Sequence, residues 1–369
     1  MESTANRLNV MIAAGGTGGH LFPAQALAHK LLEKHPEINI TFIGAGLNTN
    51  HYFKKEDFSY LDIKSGTPFK KHPAQVLKAL LKLVQGTLRS FRFFVRKKPD
   101  VIVGFGSFHT FPAILAAKLR KIPIVIFESN ALPGKVNRYC SKWAKVSAIQ
   151  FSHAGEYLGS KSICVHMPIP NRSNVSEDVA RKYYGLDEKT FTFLVFGGSQ
   201  GAEAINRFFC GAMSALSEKG VEFQVIHIIG LEKRAEKLIE YYKSKGIPAC
   251  VKVFEDKMEY AWAASDLTIS RSGAATLSEM IEYAVPSILI PYPYGTENHQ
   301  GKNAAFIADE IKGAICLEEK GLNGLILADH ILKLMENSNE KLHLMRENLK
   351  KYREEESKQD LCSVILKTL

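Results

Sequence analysis

Short apolar runs alternate with amphipathic stretches along the chain, and this rhythm occurs twice. In the first series, strand-like runs and helical patterns follow one another at 8–14, 22–35, 38–43, 101–104, 111–119 and 123–127. In the second series they follow one another at 191–196, 203–216, 224–229, 267–269 and 287–291. Strands that alternate with amphipathic helices are typical of a parallel sheet covered by helices. The pattern therefore predicts an α/β protein with two such halves.

The length of the chain agrees with two domains, since one hydrophobic core rarely serves 369 residues. We predict that the first domain spans 1–166 and that the second spans 167–344. The last stretch, about 345–369, has a helical pattern rich in Lys and Glu, and we expect it to pack back on the first domain.

Each half opens with a strand, a glycine-rich turn and a helix. The two turns read GGTGGH at 15–20 and GGSQGA at 197–202. Such a turn leaves backbone N–H groups at a helix N-terminus, where an anion can bind, although tight packing alone can also require glycine. The first turn lacks GxGxxG spacing and no acidic residue ends the second strand, which disfavours an NAD-dependent dehydrogenase. Neither turn has the GK[ST] ending of an ATP-binding P-loop.

Three side chains near helix starts are candidates for catalysis, capping or binding. His20 opens the helix after the first turn, where the helix dipole favours a neutral base, although a structural role is commoner for such a histidine. Ser272 is a candidate cap for the helix that begins near 274. Glu279 lies two helical turns further on and on the same face, where it could accept ribose hydroxyls or simply be solvated.

Positive charge concentrates in one stretch of the chain. The formal net charge is +10, and 67–98 carries nine Lys or Arg residues and no acidic residue. On a helix, an apolar face would lie beside a basic stripe formed by Lys78, Lys82, Arg89, Arg92 and Arg96. This arrangement suits an anionic membrane surface, but it is equally compatible with a core helix that has a solvated basic face. No nucleic-acid-binding motif accompanies the stripe, so we expect no nucleic-acid partner.

Cysteine usage and the N-terminus favour a cytosolic location. The six cysteines include no CxxC pair, so we expect reduced thiols rather than disulfides or a metal site. The first residues lack the pattern of a secretory signal, and no run of about 18 apolar residues occurs. We therefore expect the chain to stay in the cytosol.

Four motifs together resemble the MurG family of N-acetylglucosaminyltransferases. In the family's order and spacing, they are GGTGGH at 15–20, FGGSQGA at 196–202, SRSGAATLSE at 270–279 and PYPYGTENHQGKNA at 291–304. The resemblance spans nearly the whole chain. It implies a GT-B fold, in which two Rossmann-like domains face a cleft. The second domain would hold most of the donor nucleotide sugar and the first would hold a lipid acceptor.

The resemblance also implies an activity. It is inverting transfer of N-acetylglucosamine from UDP-N-acetylglucosamine to the C4 hydroxyl of undecaprenyl-pyrophosphoryl-N-acetylmuramoyl-pentapeptide (lipid I), giving lipid II for peptidoglycan synthesis. The expected partners are these two substrates, an anionic membrane surface and other enzymes of cell-wall synthesis. The expected location is the cytoplasmic face of the bacterial inner membrane, as a peripheral protein. No DxD-like pair is evident near either glycine turn, so we expect no obligatory metal or other cofactor.

Carried over by position, the resemblance assigns the donor site. The residues implied to bind UDP-N-acetylglucosamine are Thr17, Gly18, Gly19, Asn130, Arg172, Ser199, Gln200, Phe254, Met258, Ala274, Ala275, Thr276, Glu279, His299 and Gln300. Phe254 and Met258 match residues that border the uracil, and Glu279 matches the acid that binds the ribose. His299 and Gln300 match the pair that reads the sugar hydroxyls.

The general base is assigned to His20, with Glu128 as the alternative. Two departures from the family pattern occur, namely MPIPNR at 167–172 in place of GNPVR and LNTN at 47–50 in place of an acidic position. A related GT-B enzyme with another acceptor, a UDP-sugar epimerase and a non-catalytic surface-binding protein are the alternatives. The catalytic and sugar-reading residues favour an enzyme over a binding protein.

Overall fold

The computed structural model describes residues 8–169, 175–198, 201–230, 234–355 and 358–369. Arg172, Ser199 and Gln200, which the resemblance assigns to donor binding, lie outside these residues. The described residues form two units, with boundaries after Pro170 and after Glu355. The first unit combines the residues before Pro170 with those from 358 onward, and the second lies between the two boundaries.

The first unit is built on a parallel sheet of seven strands. In chain order they are β1 (Asn9–Ala13), β2 (Asn39–Ala45), β3 (Ser59–Ile63), β4 (Val101–Gly104), β5 (Ile124–Glu128), β6 (Val146–Ile149) and β7 (Ser162–Cys164). Their order across the sheet is β3-β2-β1-β4-β5-β6-β7. The central strands are rich in Val and Ile and almost wholly buried, as expected for strands that have helices on both faces.

Two separate cores lie on the two faces of this sheet. The helices of the unit are α1 (Gly18–Lys34), α2 (Pro73–Lys97), α3 (Phe111–Leu119), α4 (Lys135–Cys140), α5 (Gly155–Leu158) and α13 (Leu361–Leu366). On one face, Leu21 and Leu27 of α1 share a core with Leu361 and Ile365 of α13. On the other face, α2, α3 and α4 form a second core around Phe94. The last helix of the chain therefore completes the core of the first unit.

The second unit is built on a parallel sheet of six strands. They are β8 (Thr192–Phe196), β9 (Gln224–Ile228), β10 (Ala249–Lys252), β11 (Leu267–Ser270), β12 (Ser287–Leu289) and β13 (Ala314–Cys316), in the order β10-β9-β8-β11-β12-β13. Its helices are α6 (Glu177–Tyr183), α7 (Glu203–Glu218), α8 (Ala235–Ser244), α9 (Met258–Ala263), α10 (Ala274–Tyr283), α11 (His299–Ala305) and α12 (Gly324–Arg353). Helix α12 is interrupted at 336–339, where three successive residues have positive φ.

The end of α12 corrects the predicted domain boundary. Leu342, Met345 and Leu349 are buried within the second unit, so 345–355 do not return to the first unit as predicted. Only the segment 358–369 returns. Because Lys and Glu remain frequent up to Glu355, composition does not reveal where the returning segment begins.

In both units the strand order reverses beside the first strand. The connections after β1 and β4 lead in opposite directions in the first unit, and those after β8 and β11 do so in the second. Ligands of open α/β sheets bind in the gap that such a reversal leaves at the carboxyl edge. The GGTGGH turn follows β1 and the SRSGAA segment follows β11, so both motifs lie at these positions.

Candidate functional site

The first glycine turn opens α1 and leaves its N-terminus accessible. Thr17 is the N-cap and its side chain makes no capping hydrogen bond, while Gly16 has a φ of +91°. His20 lies in the first turn of the helix and is partly buried. Gly18 is buried and Gly19 is exposed. The turn therefore combines helix N–H groups with an imidazole, which is the combination that anion binding and proton transfer require.

Strand β2 passes too close to the first glycine turn to carry a side chain at Gly44. A Cβ atom at Gly44 would lie 1.9 Å from the backbone oxygen of Ala14, so no side chain fits there. Further along, Asn50 donates a 2.6 Å hydrogen bond from Nδ2 to the backbone oxygen of Gly16. The 47–50 segment, which departs from the family pattern, thus supports the glycine turn directly.

A second imidazole at the same edge was not predicted. His109 follows β4, and its side chain lies against the turn, so that a Cβ atom at Gly16 would approach His109 Nδ1 to 3.1 Å. Ser107 Oγ lies 2.8 Å from the same nitrogen. Burial lowers the pKa of His109, which favours the neutral ring at pH 7. Only the adjacency of β1 and β4 brings His109 to the turn, and a single sequence does not give that strand order.

Glu128, the alternative base, accepts hydrogen bonds from the loop and the helix that follow it in the chain. Its Oε1 accepts hydrogen bonds of 2.9 Å from the backbone N–H and the side-chain amide of Asn130. Its Oε2 accepts from the backbone N–H of Gly134 at 3.0 Å and from Asn137 Nδ2 at 2.9 Å. Each oxygen therefore already accepts two hydrogen bonds, which is the usual capacity of a carboxylate. This arrangement suits a structural anchor better than a proton acceptor.

In the second unit, helix α10 presents the predicted diphosphate site. Its N-cap is Gly273, which has no side chain, so Ser272 is not the cap as predicted. Ser272 Oγ instead donates a 2.8 Å hydrogen bond to the backbone oxygen of Gln300. The first-turn N–H groups of Ala274, Ala275 and Thr276 have no acceptor within the helix, and the N-cap glycine has no side chain to cap them. They can therefore bind an anion.

Glu279 lies on α10 two turns beyond this N-terminus. Trp262 Nε1 donates a 2.9 Å hydrogen bond to its Oε2, and among the described residues Oε1 has no donor. Burial raises the pKa of Glu279 to about 7, with a smaller contribution from Glu259, although the Trp262 hydrogen bond opposes the rise. A partly buried carboxylate with an open oxygen is suited to accept the hydroxyls of a ribose.

A network of buried polar groups positions the segment that carries His299 and Gln300. Gln300 Oε1 accepts a 2.9 Å hydrogen bond from the backbone N–H of Tyr292, which leaves the amide nitrogen as the end available for a ligand. Asn303 Nδ2 donates to the backbone oxygen of Ser272 at 3.2 Å. Arg271 donates to the carbonyls that follow β12 and pairs with Glu319 at 2.6 Å.

The two residues predicted to border the uracil lie on the connection between β10 and α9. Phe254 is 54% exposed, and Met258, the first residue of α9, is partly buried. This connection, the start of α10 and the segment before α11 all follow carboxyl ends of strands in one sheet. Phe254, Met258, Glu279, His299 and Gln300 thus all lie on segments that follow this edge of the second sheet, and their role in donor binding stays a prediction.

Helix α2 has three distinct faces. One face is buried and mostly small, and it includes Ala79, Gly86 and Ser90. The basic residues, all exposed, are Lys78, Lys82, Arg89, Arg92 and Arg96. The third face is apolar and lies between the other two by helical spacing; its residues Leu77, Leu81, Val84 and Leu88 are each more than half exposed. Helix α2 therefore packs on the core of the first unit through its small face, and its apolar face is exposed in addition to the basic one.

The start of α2 is tied to the loop that carries His109. Phe69 and Phe108 pack edge to face, with ring centres 5.7 Å apart, and Lys135 Nζ lies 4.8 Å from the centre of the Phe69 ring. Ser65 Oγ donates to the backbone oxygen of Phe108. The segment that leads into α2 is thus held against the loop that carries His109.

Two features are absent from the part of the chain that the structure describes. No three His, Cys, Asp or Glu side chains of the described chain cluster as metal ligands would. Within the same residues, no helix combines the length and apolar character needed to cross a bilayer. That the protein needs no metal for its reaction stays a prediction.

The fold and the two sites define a class of protein. Two parallel-sheet units, each with a helix N-terminus at its topological switch point, are the architecture of GT-B glycosyltransferases. Residues 10–149 match the glycosyltransferase family 28 N-terminal domain, and 192–361 match the family 28 C-terminal domain. A UDP-glucose:anthocyanidin 3-O-glucosyltransferase in complex with UDP shares the fold, with a TM-score of 0.68 at 16% identity over 94% of each chain.

More similar relatives narrow the class to one family. The UDP-N-acetylglucosamine–N-acetylmuramyl-(pentapeptide) pyrophosphoryl-undecaprenol N-acetylglucosamine transferase of Protochlamydia amoebophila is 43% identical over 86% of this chain and 85% of its own. The enzyme of that name from Thermodesulfovibrio yellowstonii is 36% identical over 89% and 90%. The crystal structure of Acinetobacter baumannii MurG has a TM-score of 0.77, with 27% identity over 98% of this chain and 99% of its own. The chain belongs to the MurG family of N-acetylglucosaminyltransferases.

Proposed function

We propose that this protein transfers N-acetylglucosamine from UDP-N-acetylglucosamine to the C4 hydroxyl of lipid I and so forms lipid II for peptidoglycan. The names of its relatives state this donor and a muramyl-pentapeptide pyrophosphoryl-undecaprenol acceptor. The single observation that carries the proposal is the placement of Glu279. Its carboxylate lies two turns from the open N-terminus of α10, where one nucleotide can bind through both its ribose and its diphosphate.

The proposed reaction is a direct displacement with inversion. The acceptor oxygen forms a bond to C1 of the sugar as the bond from C1 to the diphosphate oxygen breaks, and the hydroxyl proton passes to His20. The N–H groups of Ala274 to Thr276 stabilise the charge that develops on the departing UDP. The amide nitrogen of Gln300, with its oxygen held by the backbone of Tyr292, donates to a sugar hydroxyl. None of these steps requires a metal, so we propose none.

Helix α2 supports a peripheral position on the membrane that holds the acceptor. Its exposed leucines would enter the interface between headgroups and acyl chains, and its basic stripe would meet anionic headgroups. The segment that leads into α2 contacts the loop that carries His109, and that histidine lies against the first glycine turn, so we propose that a lipid-linked substrate reaches His20 from the membrane surface that α2 binds. We propose the cytoplasmic face of the inner membrane as the location, with other cell-wall enzymes as neighbours there.

The test is transfer of labelled N-acetylglucosamine from its UDP sugar to a short-chain lipid I analogue. The proposal expects a labelled product, and it expects none from an acceptor whose muramoyl sugar lacks the C4 hydroxyl. A folded protein that binds UDP-N-acetylglucosamine but labels neither acceptor would exclude lipid I and favour a glycosyltransferase with another acceptor. A protein that does not bind UDP-N-acetylglucosamine would overturn the donor assignment as well.

A further inference from the structure

The connection between β10 and α9 contains a buried carboxylate that the proposed reaction does not use. Phe254 in this connection is exposed, whereas its neighbour Glu255 is only 6% exposed. An ionised carboxylate is costly to bury unless it is paired and hydrogen-bonded. The groups that donate to Glu255 therefore indicate the structural role of this buried carboxylate.

Three donors from three elements converge on Glu255. Its Oε1 accepts a 2.9 Å hydrogen bond from the backbone N–H of Lys257, within the connection itself. Its Oε2 accepts from Tyr184 Oη at 2.9 Å and from Lys252 Nζ at 2.6 Å. Tyr184 ends α6 and Lys252 ends β10, so one side chain links the connection to both elements.

Aromatic rings close the same cluster from the side of α6. Lys252 Nζ lies 4.7 Å from the centre of the Tyr183 ring and 5.1 Å from that of Tyr184. Lys257 Nζ lies 5.2 Å from the Tyr183 ring and 5.3 Å from that of Tyr260. Both lysines that flank the connection therefore contact the tyrosines, and cation–π attraction adds to the hydrogen bonds.

The charges of the cluster are mutually stabilised. Burial opposes ionisation of Glu255, but the hydrogen bonds from Lys252, Lys257 and Tyr184 outweigh it and lower its pKa. Burial and the Glu255 contact raise the pKa of Tyr184, which keeps its hydroxyl a donor. Glu255 is therefore ionised and the Tyr184 hydroxyl is protonated at neutral pH, which are the states that their hydrogen bond requires.

We infer that Glu255 is a positioning residue for nucleobase recognition. With Tyr184 and Lys252, it fixes the backbone on which Phe254 and Met258 stand, so that these residues meet the base of the donor without a loss of loop entropy on binding. The inference rests on the proposed function, because it takes this connection as the border of the uracil. Glu255 itself does not contact the donor in this account.

The test compares steady-state kinetics and UDP binding of wild type, Glu255→Gln and Tyr184→Phe. Glutamine keeps the shape of the side chain but replaces one acceptor oxygen with an NH2 group that faces donors. We expect Glu255→Gln to raise KM for UDP-N-acetylglucosamine and Kd for UDP about tenfold, with kcat within about twofold of wild type. Tyr184→Phe, which removes a single hydroxyl, should shift the same constants in the same direction by a smaller factor.

Glu188→Gln is the matched control, since it makes the same chemical change at an exposed position just beyond α6. It should leave KM and Kd unchanged. Equal Kd values for wild type, Glu255→Gln and Tyr184→Phe would overturn the positioning role, as would a loss confined to kcat. If wild type itself fails to bind UDP, the proposed function fails too, so the two failures are distinguishable.

Discussion

The strand order reverses in the same way in both units, but different functional groups lie at the two reversals. In the first unit, imidazoles from His20 and His109 lie by the glycine turn, and the nearby carboxylate, Glu128, is fully occupied by its own loop. In the second unit, Glu279 lies two turns beyond the N-terminus of α10, and among the described residues one oxygen of its carboxylate has no donor. The fold thus provides the position of each site, and a few side chains decide whether it accepts protons or binds a nucleotide.

The largest expected effect tests the first unit's imidazole. His20→Ala should lower kcat by about 10²- to 10⁴-fold, because general base catalysis contributes that much, while Kd for UDP stays unchanged. The measurement is transfer of labelled sugar at saturating substrates, with UDP binding by calorimetry as the control for folding.

Activity within about tenfold of wild type would move the base away from His20, and His109 would be the next residue to substitute. Glu128→Gln provides a contrast. Its new NH2 group would face the donors of Asn130 or Asn137, so we expect a lower Tm rather than a selective loss of kcat.

The second expected effect tests the open carboxylate of the second unit. Glu279→Gln should weaken binding of UDP about 10- to 100-fold and abolish the preference for UDP over 2′-deoxy-UDP, since a charged acceptor of a ribose hydroxyl is lost. Equal preference in wild type and variant would mean that Glu279 does not contact the ribose.

The raised pKa of Glu279 gives this contact a pH signature. Only the ionised carboxylate is a pure acceptor, so affinity for UDP-N-acetylglucosamine should increase as pH rises through about 7. Glu279→Gln should remove that slope. The free energy of unfolding should change in the opposite direction. Between the ordinary pKa of 4.5 and about 7, Glu279 is protonated in the folded state but ionised in the unfolded state. Stability should therefore decrease as pH rises from 4.5 to about 7.

A third effect concerns the exposed apolar and basic faces of α2 in the first unit. The double variants Leu81→Ser/Leu88→Ser and Lys82→Gln/Arg89→Gln should each weaken vesicle binding about thirtyfold, because each changed residue contributes roughly 1 kcal/mol. The leucine pair should weaken binding to neutral and anionic vesicles alike, whereas the charge pair should act only on anionic vesicles at low salt. Co-sedimentation measures both.

Transfer to a water-soluble acceptor should be unaffected by either pair, which separates membrane binding from catalysis. Unchanged sedimentation of the leucine variant would show that the exposed apolar face of α2 serves some surface other than a bilayer.

The sequence predicted the two halves because runs such as FTFLVF before GGSQGA combine strand propensity with glycine turns, which are local signals. It did not predict that His109 meets Gly16, since that contact depends on strand order. The periodicity of the sequence placed the leucines of α2 on one face of the helix, but it did not predict whether that face is buried in the core or exposed. Glu128 and Glu279 were both candidate site residues by sequence. Only their hydrogen-bond partners in the structure show that Glu128 holds its own loop, whereas Glu279 has an oxygen that can accept from a bound ligand.

The smallest expected effect concerns the segment that the first unit takes from the end of the chain. Asp360 caps α13 by accepting from Ser363 N–H at 3.3 Å, and it pairs with Lys30 and Lys34 of α1 at 2.7 and 3.1 Å. Asp360→Ala should lower the free energy of unfolding by about 1–2 kcal/mol and leave UDP binding unchanged, since Glu279 belongs to the other unit. Thermal denaturation measures the loss.

Burial opposes ionisation of Asp360, but the two lysines outweigh it and lower its pKa to about 2. Its contribution to stability is therefore complete above the ordinary pKa of 3.8 and disappears as pH falls towards about 2, so the wild type and Asp360→Ala should converge there. Asp329→Ala, which breaks the exposed pair with Lys333 on α12, is the control and should lower Tm less than Asp360→Ala does. If both variants lost the same amount, the cap and the return of α13 would contribute no more than an ordinary surface ion pair.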